Sequence, residues 1–256
     1  MDNYSYLCIK FNVMISKNQI KLIRSLELKK NRKREGLFVA EGPKVVGDLQ
    51  QAGYHTKMLF STVARPDAEL ITEDELHKIS FLQHPQEVLA VFEIPPTLNS
   101  QLSTLHSQLS LALDGVQDPG NLGTIIRIAD WFGISTIYCS LDTADAYNPK
   151  VVQATMGSLA HVQVIYTDLL GFFKTLPPSY PIYGTLLDGE NIYEQELTSE
   201  GIIVMGNEGN GISAAVREHI TKRLLIPDFH TDGLRAESLN VAIATAITCS
   251  EFRRRT

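Results

Sequence analysis

The chain is predicted to fold as two α/β units, a small mixed one followed by a larger one built on a parallel sheet. Three observations predict this. From Leu111 onward, short continuous apolar runs alternate with helical stretches, the pattern of serial βα units whose strands are buried on both faces. Pro95–Ser110, P-P-T-L-N-S-Q-L-S-T-L-H-S-Q-L-S, shifts composition to Pro, Ser, Thr and Gln and marks a boundary. Before it, about 80 residues alternate strand and helix, enough for one small domain. A chain of 256 residues has room for both.

Composition narrows the class. Apolar content of 44% with 20% charged residues suits a globular protein, and no run of 18 apolar residues offers a membrane span. The first residues carry Asp2 and Lys10 within their apolar stretch, a poor secretory signal. Cys8, Cys139 and Cys249 are far apart and odd in number, which fits free thiols in the cytoplasm rather than a disulfide framework or a metal knuckle. The net charge of −6 argues against a chain basic throughout. Yet Lys17–Arg34 gathers eight Lys and Arg residues against the single acid Glu27. Such a patch neutralises phosphates, although by itself it suits a solvated helix face equally well.

In order, residues 1–16 read as an appendage. Ser16 is placed to cap a helix over Lys17–Lys30, with Ile20, Ile23 and Leu26 turned to a core. Gly36–Gly42 is a short strand, Lys44–Ala52 a helix, Lys57–Ser61 a strand, Thr72–Ile79 a capped helix and Glu87–Ile94 a strand. The expected division is an N-terminal extension over 1–16, a first domain over 17–95, a linker over 96–110 and a second domain over 111–256.

The second domain opens with a strand at Leu111–Asp114 and a helix ending near Phe132. Strands follow at Thr136–Cys139, His161–Ile165, Ile182–Leu186, Ile202–Met205 and Arg223–Ile226. Helices follow at Pro149–Met156, opened by proline, at Asp168–Leu176, at Ala214–Ile220 capped by Ser213, and at Glu237–Arg253. Ligands of such sheets sit beyond the carboxyl ends of the strands, so the loops there are the places to look.

Three of those loops carry chemistry. In Asn121-Leu122-Gly123-Thr124-Ile125-Ile126-Arg127, Asn121 is a candidate helix cap and Arg127 an anion partner; a surface pair of Arg127 with Asp130 is the plain alternative. In Gly206-Asn207-Glu208-Gly209-Asn210-Gly211, glycines admit a ligand to the main chain. The loop lacks the Gly-Lys-Ser/Thr ending of a phosphate cradle, and Glu208 would repel phosphate. A carboxylate there suits hydroxyls or positive charge. In Ser238-Leu239-Asn240-Val241, Asn240 lies in an apolar setting and requires a hydrogen-bond partner.

Together, N-x-G-x-x-x-R, G-N-E-G-x-G-I-S and I-P-x(n)-S-L-N-V resemble, in order and spacing, the SpoU family of RNA ribose 2′-O-methyltransferases over most of residues 111–252. The first half is similar to that family's substrate-binding domain, an α/β RNA binder like ribosomal protein L30e, in R-S-L-x-x-K-K-x-R and G-L-F-V-A-E-G-x-K. The resemblance implies a SPOUT fold with a deep trefoil knot, S-adenosylmethionine as cofactor, no metal, RNA as partner (ribosomal rather than transfer RNA) and a homodimer. It implies catalytic roles for Asn121, Arg127, Glu208, Ser238 and Asn240. Leu186, Gly206, Asn207, Gly211, Ile226 and Leu239 would line the cofactor pocket. Arg24, Lys29, Lys30, Arg32, Lys33, Arg34 and Lys44 would contact RNA. One departure is the long connection Pro227–Glu237, with Asp228, His230, Asp232 and Arg235. Rival expectations are an RNA binder that has lost catalysis and a methyltransferase with a substrate other than RNA.

Overall fold

The computed structural model describes residues 14–96, 108–229 and 238–254. Residues 1–13, most of the expected linker, and His230, Asp232, Arg235 and Glu237 lie outside them. The chain forms two compact units, Met1–Ile94 and Pro95–Thr256.

The first unit runs α1 (Lys17–Ser25), α2 (Lys29–Glu35), β1 (Leu37–Glu41), α3 (Pro43–Gln51), β2 (Thr56–Ser61), β3 (Glu69–Leu70), α4 (Glu73–Ile79) and β4 (Val88–Glu93). Its sheet has the order β1-β4-β2-β3, antiparallel except for the last pair. Side chains alternate across β1. Leu37 and Val39 join Ile23, Leu26, Leu76 and Ile79 in one core. Phe38, between them, stacks on Phe92 at 5.6 Å and meets Tyr54 edge-on. Ser16 caps α1 and Thr72 caps α4, each with a complete capping box.

Two expectations are corrected here. Ile15 is buried and its N–H donates to Glu75 Oε1 at 3.1 Å, so the appendage ends earlier than residue 16. The single helix over Lys17–Lys30 is two helices with a break at Leu26–Leu28. No residue in R-S-L-E-L-K-K is a helix breaker. The break is made by side chains of α2 that cap the end of α1. Asn31 donates to Ser25 O at 2.8 Å, and Arg32 donates to Leu26 O and Glu27 O, both at 2.7 Å.

The second unit runs β5 (Leu109–Asp114), α5 (Pro119–Trp131), β6 (Thr136–Cys139), α6 (Pro149–Thr155), β7 (Gln163–Tyr166), α7 (Leu169–Phe173), β8 (Ile182–Asn191), β9 (Gly201–Gly206), α8 (Ala214–Arg217), β10 (Lys222–Leu225) and α9 (Val241–Arg254). Its six strands are parallel in the order β10-β8-β9-β5-β6-β7. One face packs Tyr138, Ile165, Phe172, Phe173, Ile202 and Val204 with α7 and α8. Helices α5, α6 and α9 pack together, and Phe252 of α9 meets Tyr183 of β8 edge-on at 4.8 Å. Leu109 and Ser110 belong to β5 rather than to a linker, and α9 begins at Val241 rather than Glu237.

One irregularity shapes the molecule. Arg223 of β10 pairs with Gly184 of β8, but the next residue, Leu224, pairs with Glu190. Residues 185–189 therefore stand out of the ladder between β8 and β10. Gly189 returns so close that a Cβ there would lie 2.6 Å from the Leu224 carbonyl carbon.

Candidate active site

The site gathers at the carboxyl ends of β5, β8, β9 and β10. Gly206 ends β9, and the chain then turns back on itself. Asn207 and Gly211 form an antiparallel bridge, with N–H to O distances of 3.0 and 2.9 Å. A Cβ on Gly206 would lie 2.2 Å from the Gly211 carbonyl carbon and from the Ile212 nitrogen, so only glycine allows this fold-back. The Asn207 side chain holds the loop from inside. Its Oδ1 accepts from Gly209 N and Asn210 N at 2.9 and 3.0 Å, and its Nδ2 donates to Gly115 O at 2.7 Å. The β5 end is fixed to the same place, with Ser213 N donating to Asp114 Oδ2 at 2.7 Å.

From this loop Glu208 reaches the start of α5. It accepts from Gln117 N and Asp118 N, each at 3.2 Å, and from Asn121 Nδ2 at 3.0 Å. Partial burial by itself would raise the Glu208 carboxyl. The hydrogen bonds from Asn121 and from backbone N–H groups, including those of Asp118 and Gln117, outweigh it and hold its pKa below the usual value. Asn121 Oδ1 in turn accepts from Asn240 Nδ2 at 2.9 Å. Asn240 caps α9, its Oδ1 accepting from Ala242 N and Ile243 N at 2.9 and 3.2 Å. The start of α5 is thus joined in one polar chain to two loops that lie 87 and 119 residues further along the sequence.

Of the five expected catalytic residues, the structure joins Asn121, Glu208 and Asn240 by hydrogen bonds. Asn121 does not cap α5; Asp118 does, accepting from Asn121 N at 2.8 Å. Asn240 is exposed rather than buried, and its partner is Asn121. Arg127 is exposed on α5. The alternative pairing with Asp130 is not formed, since Asp130 faces His161 at 3.2 Å.

Beside the polar chain lies a cavity of about 620 Å³. Leu186, Gly206, Asn207, Gly211, Ile226 and Leu239 all line it, together with Glu208 and Ser238. The displaced part of β8, Thr185–Asp188, and Arg217 of α8 line it as well. Sequence reasoning missed Asp188 and Arg217. Their signal was weak: one charged residue just past an apolar strand and another in a short helix.

The basic run of the first unit divides in two. Lys29, Lys30, Lys33, Arg34 and Lys44 are exposed. Arg32 is 2% exposed, and its guanidinium is committed to the α1 carbonyls. The expectation that it contacts RNA is corrected: burial turns it into the residue that ends α1. Arg24 donates to Ser80 O at 2.6 Å and lies over the Phe81 ring.

Among the described residues no group of three or more His, Cys, Asp or Glu is placed to hold a metal ion, and no helix is long and apolar enough to cross a membrane.

Residues 108–250 match the SpoU rRNA Methylase family, and residues 17–90 match the MRM3-like substrate binding domain. The 23S rRNA (guanosine(2553)-2′-O)-methyltransferase of Bacillus subtilis is 33% identical over 250 residues, which cover 93% of this chain and 97% of that protein. A structure from Porphyromonas gingivalis, assigned to the TrmH family of RNA methyltransferases, is 45% identical with a TM-score of 0.83 and covers 95% of this chain and 100% of its own. An AdoMet-bound rRNA methyltransferase from Sinorhizobium meliloti is 33% identical with a TM-score of 0.82, covering 94% and 96%.

Proposed function

The chain belongs to the SpoU rRNA methylase family, and on that premise we propose that it transfers a methyl group from S-adenosylmethionine to a ribose 2′-hydroxyl of RNA, ribosomal rather than transfer RNA. The observation that carries this reading is the Asn240–Asn121–Glu208 chain beside a cavity lined by all six residues expected to hold the cofactor.

The cavity fits the cofactor's chemistry. Leu186, Ile226 and Leu239 offer apolar walls for a purine and a thioether, and Glu208 offers negative charge to a sulfonium. When bound, S-adenosylmethionine supplies a methyl group on positively charged sulfur. The protein's tasks are then to position the ribose and to manage the hydroxyl proton. A guanidinium is a poor base, so the role of Arg127 is to stabilise the oxygen as its proton leaves or to hold an adjacent phosphate. Asn121 and Asn240, locked to each other and to Glu208, hold the wall against which the substrate is oriented. Ser238 supplies a hydroxyl at the cavity.

The remaining parts of the reading follow from this. Residues 17–95 form the RNA-binding domain, through Lys29, Lys30, Lys33, Arg34 and Lys44. Residues 111–256 form the transferase, with the trefoil knot near its C-terminal end. A homodimer is supported by Trp131 on α5 and Ile243 on α9, two helices packed together whose large apolar side chains are 84% and 53% exposed. The buried free thiols of Cys139 and Cys249 suit the cytoplasm.

The test compares ribose methylation across ribosomal and transfer RNA in cells with and without the protein. Loss of one 2′-O-methyl mark in ribosomal RNA is expected, and unchanged methylation at every ribose would overturn the reading. Arg127→Ala is expected to retain cofactor affinity and to lose about 100-fold or more in methyl transfer. Near-normal turnover would remove Arg127 from the reaction.

A further inference from the structure

The lining of the cavity carries an ionic group that the reaction itself does not require. Arg217 Nη2 donates to Asp188 Oδ2 at 2.6 Å, and Arg223 Nη1 donates to the same oxygen at 3.2 Å. Two guanidinium groups on one carboxylate leave this wall with excess positive charge. Asp188 and Arg217 line the cavity, whereas Arg223 is not part of its lining. Arg223 therefore neutralises Asp188 from outside and leaves the Arg217 charge directed to what the cavity holds. A guanidinium has five N–H donors, and the bond to Asp188 is the one side-chain hydrogen bond Arg217 makes among the described residues.

Resting on the functional reading above, we propose that Arg217, positioned by Asp188, binds the α-carboxylate at the amino-acid end of the cofactor and makes the cavity select ligands that carry it. Charge balance supports the assignment. With Asp188 neutralised by Arg223 from outside the lining, Glu208 and the Arg217 guanidinium remain, one charge of each sign. The cofactor holds two cationic groups, sulfonium and ammonium, against one carboxylate. Guanidinium is the side chain whose planar fork matches a carboxylate in two parallel hydrogen bonds. Its anchor also matters. Asp188 lies in the segment that the β8–β10 register jump lifts out of the ladder. That segment lines the cavity, so the irregularity places the Arg217 anchor in the lining.

The test uses two stable ligands that share the adenosine thioether and differ in the amino-acid end. S-adenosylhomocysteine carries the carboxylate, and 5′-methylthioadenosine lacks it. Affinities of the full chain are measured by calorimetry for the wild type, Arg217→Met and Asp188→Asn. Arg217→Met is expected to weaken S-adenosylhomocysteine about tenfold or more, the worth of a charge-assisted hydrogen bond, and to leave 5′-methylthioadenosine within about twofold. Asp188→Asn is expected to show the same selectivity with a smaller loss. Equal weakening of both ligands, or of neither, in Arg217→Met overturns the proposal. A wild type that binds neither ligand overturns the functional reading as well, and so separates the two failures. Thermal melting of each variant identifies loss of fold, and Arg217→Lys, which keeps the charge without the fork, is expected to recover part of the selectivity.

Discussion

Gly206 is the position where one methyl group has the largest calculable effect. Gly206→Ala would place a Cβ 2.2 Å from two backbone atoms, the Gly211 carbonyl carbon and the Ile212 nitrogen. Neither is the end of a flexible side chain, so the loop itself must move. Keeping the loop closed costs about 1–3 kcal/mol of overpacking. Opening it breaks the two Asn207–Gly211 backbone hydrogen bonds, at about 1 kcal/mol each. The chain takes the cheaper route, which sets a loss of about 1–2 kcal/mol, with ~5 kcal/mol as the ceiling if both penalties apply. Because Gly206, Asn207 and Gly211 line the cavity, the same ~1–2 kcal/mol is expected in ligand binding as a loss of about 5- to 30-fold. The assay is urea unfolding together with S-adenosylhomocysteine affinity, against two control variants. At Gly209 a Cβ would meet nothing nearer than Asn207 Oδ1 at 3.6 Å, so Gly209→Ala is expected to be neutral. Gly211 is free of close atoms but has φ +66°, so Gly211→Ala is expected to cost about 1 kcal/mol. A Gly206→Ala protein that behaves like Gly209→Ala would refute the fold-back of this loop.

Arg32→Ala is expected to destabilise the first unit by roughly 2–4 kcal/mol, because it removes a buried side chain and leaves Leu26 O and Glu27 O without their donor. Lys30→Ala and Lys33→Ala are expected to leave the melting temperature unchanged and to shallow the salt dependence of RNA affinity by about 0.7–0.9 per residue; a salt slope moved by Arg32→Ala but not by the lysines would reverse the assignment. The depressed Glu208 pKa contributes stability that is present above its unfolded value of about 4.3 and is lost as pH falls through the lower folded value. Glu208→Gln is therefore expected to flatten the acid limb of the stability profile in that window, and an unchanged limb would show that the carboxylate is not held as described.

The sequence by itself determined the elements that local chemistry settles. Ser16, Thr72 and Ser213 cap the helices they precede, and the apolar runs at Ile182, Ile202 and Thr136 are strands of a parallel sheet. Caps and periodicity act over a few residues, so their signals lie within the stretch they govern. The Gly206–Gly211 loop, with its neighbours Asn121 and Asn240, was recognisable because a polar or glycine residue at a strand's end has few other uses. Tertiary structure decided what depends on distant partners. Nothing near Leu26 ends a helix; Asn31 and Arg32 do so by folding back, and the same act buries a charge that the sequence assigned to the surface. Asn240 caps α9 and also holds Asn121, which lies 119 residues away. The slip between Gly184 and Glu190 against β10 arises from closing one strand on another, and it brings Asp188 to the cavity that Arg217 reaches from α8. A side chain's identity fixes which bonds it is able to make, and only the meeting of surfaces far apart in the chain selects which of them are made.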